Sequence, residues 1–286
     1  MATTAQEVYP DKEPSTSTSD KKEDEQKQPP DQSDIASEPW HELDVSEWNE
    51  KGMERLLKEV EGYTPIKQND IPSEKIPNVN FLLMGRISSG KSSFVNTVDS
   101  VLKGRLSIRS RAGCSGSSLT KSFNQSTPIT KDCIKFRKDP NMADRVHCVL
   151  FVIDGSIPPE ITMSQNVEKQ IKEFQEMMNR KKIPQLILLT KMDILSTIKG
   201  DVSKLIRSKS VQEMREKVAM SLGLPPYTVL PMQNIANSRT VSTDLKILTL
   251  YNLCQALHAA DDYLENFEDE IMADIYKGAQ VKSNRD

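Results

Sequence analysis

Residues Asn78–Gly104 read Asn-Val-Asn-Phe-Leu-Leu-Met, then Gly-Arg-Ile-Ser-Ser-Gly-Lys-Ser-Ser, then Phe-Val-Asn-Thr-Val-Asp-Ser-Val-Leu-Lys-Gly. An apolar run fit for a strand leads into a turn with two glycines. A segment follows with Phe94, Val98 and Val101 or Leu102 at helical spacing and Gly104 as its stop. Gly85 to Ser92 fits the pattern G-x-x-x-x-G-K-[ST], which carries a mechanism only between a strand and a helix, where it stands here.

Glycine at 85 and 90 lets the chain curl so that successive N–H groups point inward. The N-terminus of the next helix adds its positive dipole end to the same spot, which suits phosphate. Lys91 reaches the outer phosphates as a point charge, and the Ser92 hydroxyl is placed to ligate a magnesium ion bridging the β- and γ-phosphates. Arg86, Ser88, Ser89 and Ser93 complete the loop and its entry to the helix, Ser88 and Ser89 through their amides. Average composition yields the pattern by chance in roughly one chain in a hundred of this length. With both flanks present, the expectation is an α/β fold, a P-loop domain whose mostly parallel sheet is flanked by helices.

Downstream the alternation continues. Arg145 to Asp154 is a near-continuous apolar run, the mark of a parallel strand buried on both faces, and Pro158 and Pro159 end it. Val167, Ile171, Phe174 and Met178 recur at helical spacing up to Pro184, and Gln185–Leu189 makes another buried strand. It ends in Thr190-Lys191-Met192-Asp193. A carboxylate just past a strand end, such as Asp193, can accept from guanine N1–H and the 2-amino group. Adenine offers neither donor, so its entry would leave a buried acceptor unpaired. Lys191 can lay its stem along the base plane with its charge in solvent.

Ser210-Val-Gln-Glu213 reads as a capping box opening a helix that closes at Gly223 and Pro225. Tyr227–Met232 reads as a last strand, the loop 233–238 as the place where a base pocket is completed, and Leu245, Leu248, Tyr251 and Leu257 as a long final helix. Between Gly104 and the Arg145 strand, Ser110–Gln125 is a polar, glycine-bearing stretch that is either a plain flexible connector or a loop that folds over phosphates, with Thr120 as the second candidate contact to magnesium.

Working outward, residues 1–38 hold hardly any large apolar side chain and cannot offset chain entropy by burial, so a disordered tail is expected. In 39–77, Met53, Leu56, Leu57 and Val60 make a one-sided helix closed by Gly62, with Trp40 and Trp48 as anchors. The nucleotide domain spans 78–265, and 266–286 is a tail expected to fray. The 286 residues carry net charge -3 and a pI near 5.8, which gives no sign of nucleic-acid binding. The four cysteines lack metal or disulfide spacing and read as free thiols, and His41, His147 and His258 are scattered. No signal peptide, lipidation box or membrane-length apolar run stands out, so a cytoplasmic location is expected.

Pro39-Trp40 with Trp48, the stretch Gly85–Asn96, Arg145-Val-His-Cys, Pro184–Asp193 and Leu222-Gly-Leu-Pro together resemble the interferon-induced protein 44 family of P-loop GTP-binding proteins of antiviral responses. The resemblance covers roughly 40–265. It implies that Lys91 and Ser92 contact phosphate and magnesium and that Lys191 and Asp193 contact the base. Thr190 stands where most GTPases have asparagine. One departure matters. Between Gln125 and Arg145 there is no D-x-x-G, whose Asp would hold the magnesium water shell, and Asp154-Gly155 has the wrong spacing for it. Residues 126–143 are too few for the missing strand and its crossover, as if one βα unit had been removed, for example by splicing. The leading expectation is therefore GTP or GDP binding with magnesium and little or no hydrolysis, with protein partners unidentified. An immune interaction protein with a vestigial site is the rival, and an ATP-using P-loop kinase is disfavoured by Asp193.

Overall fold

The computed structural model describes residues 34–40, 48–66, 71–72, 74–108, 140–162, 165–195, 198, 201–235 and 240–283. Strands β1 (Phe81–Met84), β2 (Cys148–Asp154), β3 (Gln185–Thr190) and β4 (Val229–Pro231) form an all-parallel sheet in the order β1-β2-β3-β4. The helices are α1 (Glu50–Glu61), α2 (Lys91–Leu102), α3 (Pro159–Thr162), α4 (Gln165–Arg180), α5 (Lys209–Leu222), α6 (Thr243–Glu265) and α7 (Glu268–Ser283).

Parallel neighbours need crossovers, and crossovers cover both faces, which is why the central strands read as unbroken apolar runs. Residues 148–153 of β2 and all of β3 are buried. Their alternation sorts the core. Val149, Phe151, Ile187 and Leu189 pack with Met178 of α4 and Val211 and Val218 of α5. Leu150, Val152 and Leu188 pack with Phe94 of α2 and Ala256 and Ala260 of α6. Each such Leu, Val or Ile contributes about 1.5–3 kcal/mol on burial. Outside this, α1 lies on α6, with Leu56 joining Val101 of α2 and Ile247, Leu250 and Cys254 of α6. Cys148 and Cys254 are buried free thiols, and burial pushes both up to about 12, leaving neither reactive as a thiolate. No described helix is long and apolar enough to cross a membrane.

Register gathers the functional ends. Met84 pairs with Phe151 and Asp154 with Thr190, so the loops leaving β1, β2 and β3 emerge side by side, where α/β sheets bind ligands. Among the described residues β1 pairs with β2 alone. Nearly all of the segment 126–143 that lacks D-x-x-G lies outside the described residues. The start of β1 is fastened differently. The Asn80 amide donates to His147 Nδ1 at 3.1 Å, the His147 amide donates to Asn80 O at 2.9 Å, and Asn80 Nδ2 donates to Ala143 O and Arg145 O.

Three local expectations change. The cap of α5 is Ser208, whose hydroxyl accepts from the Val211 amide at 3.2 Å, and Ser210 lies inside the first turn. The capping-box spacing was present, but Asp34 takes the Ser210 hydroxyl instead. Within the expected tail, α7 occupies Glu268–Ser283, with Ile271 buried in the core and Phe267, just before the helix, packed on Tyr263, ring centroids 4.9 Å apart. Trp48 does pack beside α1, whereas Trp40 is anchored at α5, its Nε1 donating to Ser208 O at 2.9 Å and its ring facing Arg215 at 5.1 Å. Trp40 belongs to a strap, residues 34–40, in which Ile35 bridges Ser208, the Ala36 amide donates to Arg207 O and the Trp40 amide to Ile206 O. Asp34 clasps its far end, accepting from Ser208 Oγ at 2.7 Å and from the Ser210 amide at 2.8 Å.

Candidate functional site

The glycine-bearing turn expected to bind phosphate runs from the end of β1 into α2. Gly85 lies so close to β2 that a Cβ there would stand 2.2 Å from Val152 O. Gly90 caps α2 at φ +103, a left-handed conformation that glycine adopts without steric cost, and a Cβ there would crowd Asn234 and Thr190. Ser88 also has positive φ, so the chain curls tightly before the helix. Ser92 and Ser93 lie in the first turn of α2. Lys91 folds back, its Nζ donating to Gly85 O at 2.8 Å and Arg86 O at 2.7 Å, and partial burial pulls its ammonium below the usual lysine range. Ser89 is buried at 3 % exposure, and its Oγ has no partner. A buried hydroxyl without a partner beside a helix N-terminus is the chemistry of a group awaiting an acceptor, and phosphate oxygens fit it.

Thr190 ties the second motif to the first. Its hydroxyl lies 2.6 Å from Ser89 O and 3.0 Å from Ile153 O, and the residue is fully buried. Thr190 therefore links the end of β3 to the turn that follows β1. Past the strand end, Lys191 adopts φ +60 and pairs with Asp154, and Asp193 sits half-buried in the turn 192–194. Burial raises the Asp193 carboxyl, partly opposed by a backbone hydrogen bond and the Lys191 charge, so this acceptor has already shed part of its water. From β4 the chain returns to the same place: the Ile235 amide donates to Thr97 Oγ1 at 3.0 Å, and Asn234 Nδ2 approaches Gly90 O at 3.4 Å.

A cavity of about 520 Å³ opens beside the loop. Gly85, Arg86, Ser88, Ser89, Asp154 and Lys191 form its polar side, and α4 supplies an apolar wall through Ile171 and Phe174. Lys91, Ser92, Thr190 and Asp193 do not line it, so this cavity is only one flank of the predicted site. Thr120 lies outside the described residues. Among the described residues no cluster of His, Cys, Asp or Glu could hold a metal by itself. The sequence weighs Asp154 only as a stand-in for the missing D-x-x-G aspartate and covers Asn234 only within the loop 233–238, so neither is singled out as a site residue.

Thr190→Val should destabilise the protein by about 1–3 kcal/mol, because the single hydroxyl proton is lost and Ser89 O, the nearer of its two carbonyl neighbours, is left without that donor in a buried place. Urea melts check this, and equal midpoints for Thr190→Val and parent would show the link to be unimportant.

No family model matches this sequence. A human protein named interferon-induced protein 44-like is 27% identical over 278 residues, which cover 79% of this chain and 60% of that one. Mouse interferon-induced protein 44 is 24% identical over 74% of this chain and 60% of its own length. The human protein of that name is 24% identical over 70% and 56%. The chain thus spans about 60% of the length of the curated relatives it matches. Its four-stranded parallel sheet and helices agree with the fold expected for that resemblance, and over most of its length the chain is similar to interferon-induced protein 44 and the 44-like protein.

Proposed function

We propose that the chain binds a guanine nucleotide, GTP or GDP with Mg2+, and hydrolyses it weakly or not at all, as a cytoplasmic component of the interferon-induced innate antiviral response. The immune part rests on the names of its relatives. The observation that carries the nucleotide part is the hydrogen bond from Thr190 Oγ1 to Ser89 O, which brings a base-reading motif and a phosphate loop together across 101 residues of sequence. Gly85–Ser93 would hold the phosphates, Lys91 their outer charge, and Ser92 the magnesium, with Thr120 as its second contact. Asp193 and Lys191 would read the base. Magnesium, once bound, would neutralise phosphate charge; without a D-x-x-G segment the attacking water lacks a positioning residue, so turnover stays slow.

Titration calorimetry with GTP, GDP and ATP, with and without magnesium, tests this. Equal affinity for ATP and GTP would overturn it. Asp193→Asn should weaken GTP binding by about 1.5–3 kcal/mol, on the order of ten- to a hundred-and-fiftyfold, and improve binding of xanthosine triphosphate, since an amide donates where the carboxylate accepted. The rival reading, an interaction protein with a vestigial site, is favoured by one feature: Lys91 already satisfies itself on Gly85 O and Arg86 O. Absence of binding to any of the three nucleotides would select it.

A further inference from the structure

We propose that Asp154 is a positioning residue for base recognition: its carboxylate holds the Lys191 ammonium, so that the lysine stem is fixed as the shelf on which the base rests. This rests on the guanine-nucleotide reading above. The register of the sheet makes the pair. Asp154 lies opposite Thr190, and the Gly155 amide donates to Thr190 O at 2.9 Å, carrying strand pairing one residue past Asp154. Lys191 then leaves β3 with φ +60, a conformation uncommon for a residue with a side chain, which turns it out of the strand direction. Its Nζ meets Asp154 Oδ2.

The carboxylate is itself held. Asp154 Oδ1 accepts from the Ser156 amide at 3.0 Å and the Ser156 hydroxyl at 2.6 Å, leaving Oδ2 toward Lys191. Its side chain is only 13% exposed, against 32% for Lys191. A carboxylate that has lost most of its water needs a cation, and here the cation is the end of a four-carbon stem anchored at the base motif. A lysine left to itself has many rotamers to lose when a base settles on it, and one already held loses few. Both Asp154 oxygens are engaged by protein donors, an employment different from holding a magnesium water shell. Asp154 therefore does not replace the missing D-x-x-G aspartate.

The test is a double-mutant cycle on the full chain: parent, Asp154→Ala, Lys191→Ala and the double variant, each titrated with GDP and magnesium and, separately, with inorganic pyrophosphate. Asp154→Ala should weaken GDP binding roughly five- to twentyfold through lost preorganisation. The double variant should be no weaker than Lys191→Ala alone, since the two residues act as one unit. Pyrophosphate is read by the loop and not by the shelf, so its affinity should not fall in Asp154→Ala. Asp154→Asn keeps the shape and the Ser156 contacts without the charge, and should fall between parent and alanine. Additive losses in the cycle, or pyrophosphate affinity falling in step with GDP, would overturn this inference while leaving the nucleotide reading intact. A parent chain that does not bind GDP would overturn both.

Discussion

Lys91→Ala is expected to cost nucleotide binding about 2–3 kcal/mol, roughly thirty- to a hundred-and-fiftyfold in affinity, while the fold persists. The ammonium is the charge on the loop expected to follow the outer phosphates, and burial already depresses its pKa, so part of its hydration has been given up before any ligand arrives. In the structure it rests on Gly85 O and Arg86 O, carbonyls of an exposed loop that water can satisfy once the lysine is gone. Stability without nucleotide should therefore change little. Thermal melting with excess GTP separates the two effects: the parent should gain stability as the ligand binds the native state, and Lys91→Ala should gain much less. An equal rise in both would show that nucleotide binds elsewhere.

Gly85→Ala should be the most damaging small change to the fold. Its new methyl group would sit 2.2 Å from Val152 O and 2.8 Å from Ser89 Oγ. The hydroxyl could swing away, but the carbonyl belongs to the central buried strand and cannot. Relief requires β1 to part from β2, and the pairing from Phe81↔Cys148 to Met84↔Phe151 is the described partnership of β1. The cost should reach the upper end of overpacking, about 3 kcal/mol, which for a domain of this size lowers the melting temperature by roughly 6–12 °C. Gly104→Ala is the control. It shares a positive φ, yet a Cβ there meets nothing within 4 Å, so only the backbone preference of about 1–2 kcal/mol is lost. If the two variants melt together, the close approach of loop and strand is not what constrains residue 85.

Strand, turn and helix around Gly85–Ser92 were legible because each is encoded locally, by an apolar run, glycine spacing and a 3.6-residue period. The buried strands ending at Asp154 and Thr190 were legible for the same reason. What joined them was not. Asp154 meets Lys191, and Thr190 meets Ser89, only through the parallel register of β1, β2 and β3, and no spacing in the sequence specifies register across crossovers of tens of residues. The cap of α5 was misplaced by two residues because Ser208 and Ser210 are equivalent as local signals, and the choice was made by Asp34, more than 170 residues away in sequence. Helix α7 was missed because its many charged residues outweighed the few side chains, Phe267 and Ile271, that dock it. Thr120 remains an expectation from its position in the chain.

The strap 34–40 also decides where this polypeptide can be shortened. Asp34 sits at the positive end of the α5 dipole, doing for that helix what a bound anion would do, and Trp40 covers the Ser208 carbonyl and the Arg215 guanidinium beside it. A version trimmed to begin at β1 would keep every described residue of the candidate site and still lose the Asp34 clasp on the α5 N-terminus, the Trp40 indole and the Ile35 bridge to Ser208. The natural starting point for an excised domain therefore lies upstream of Asp34, about fifty residues before the glycine-bearing turn that begins at Gly85.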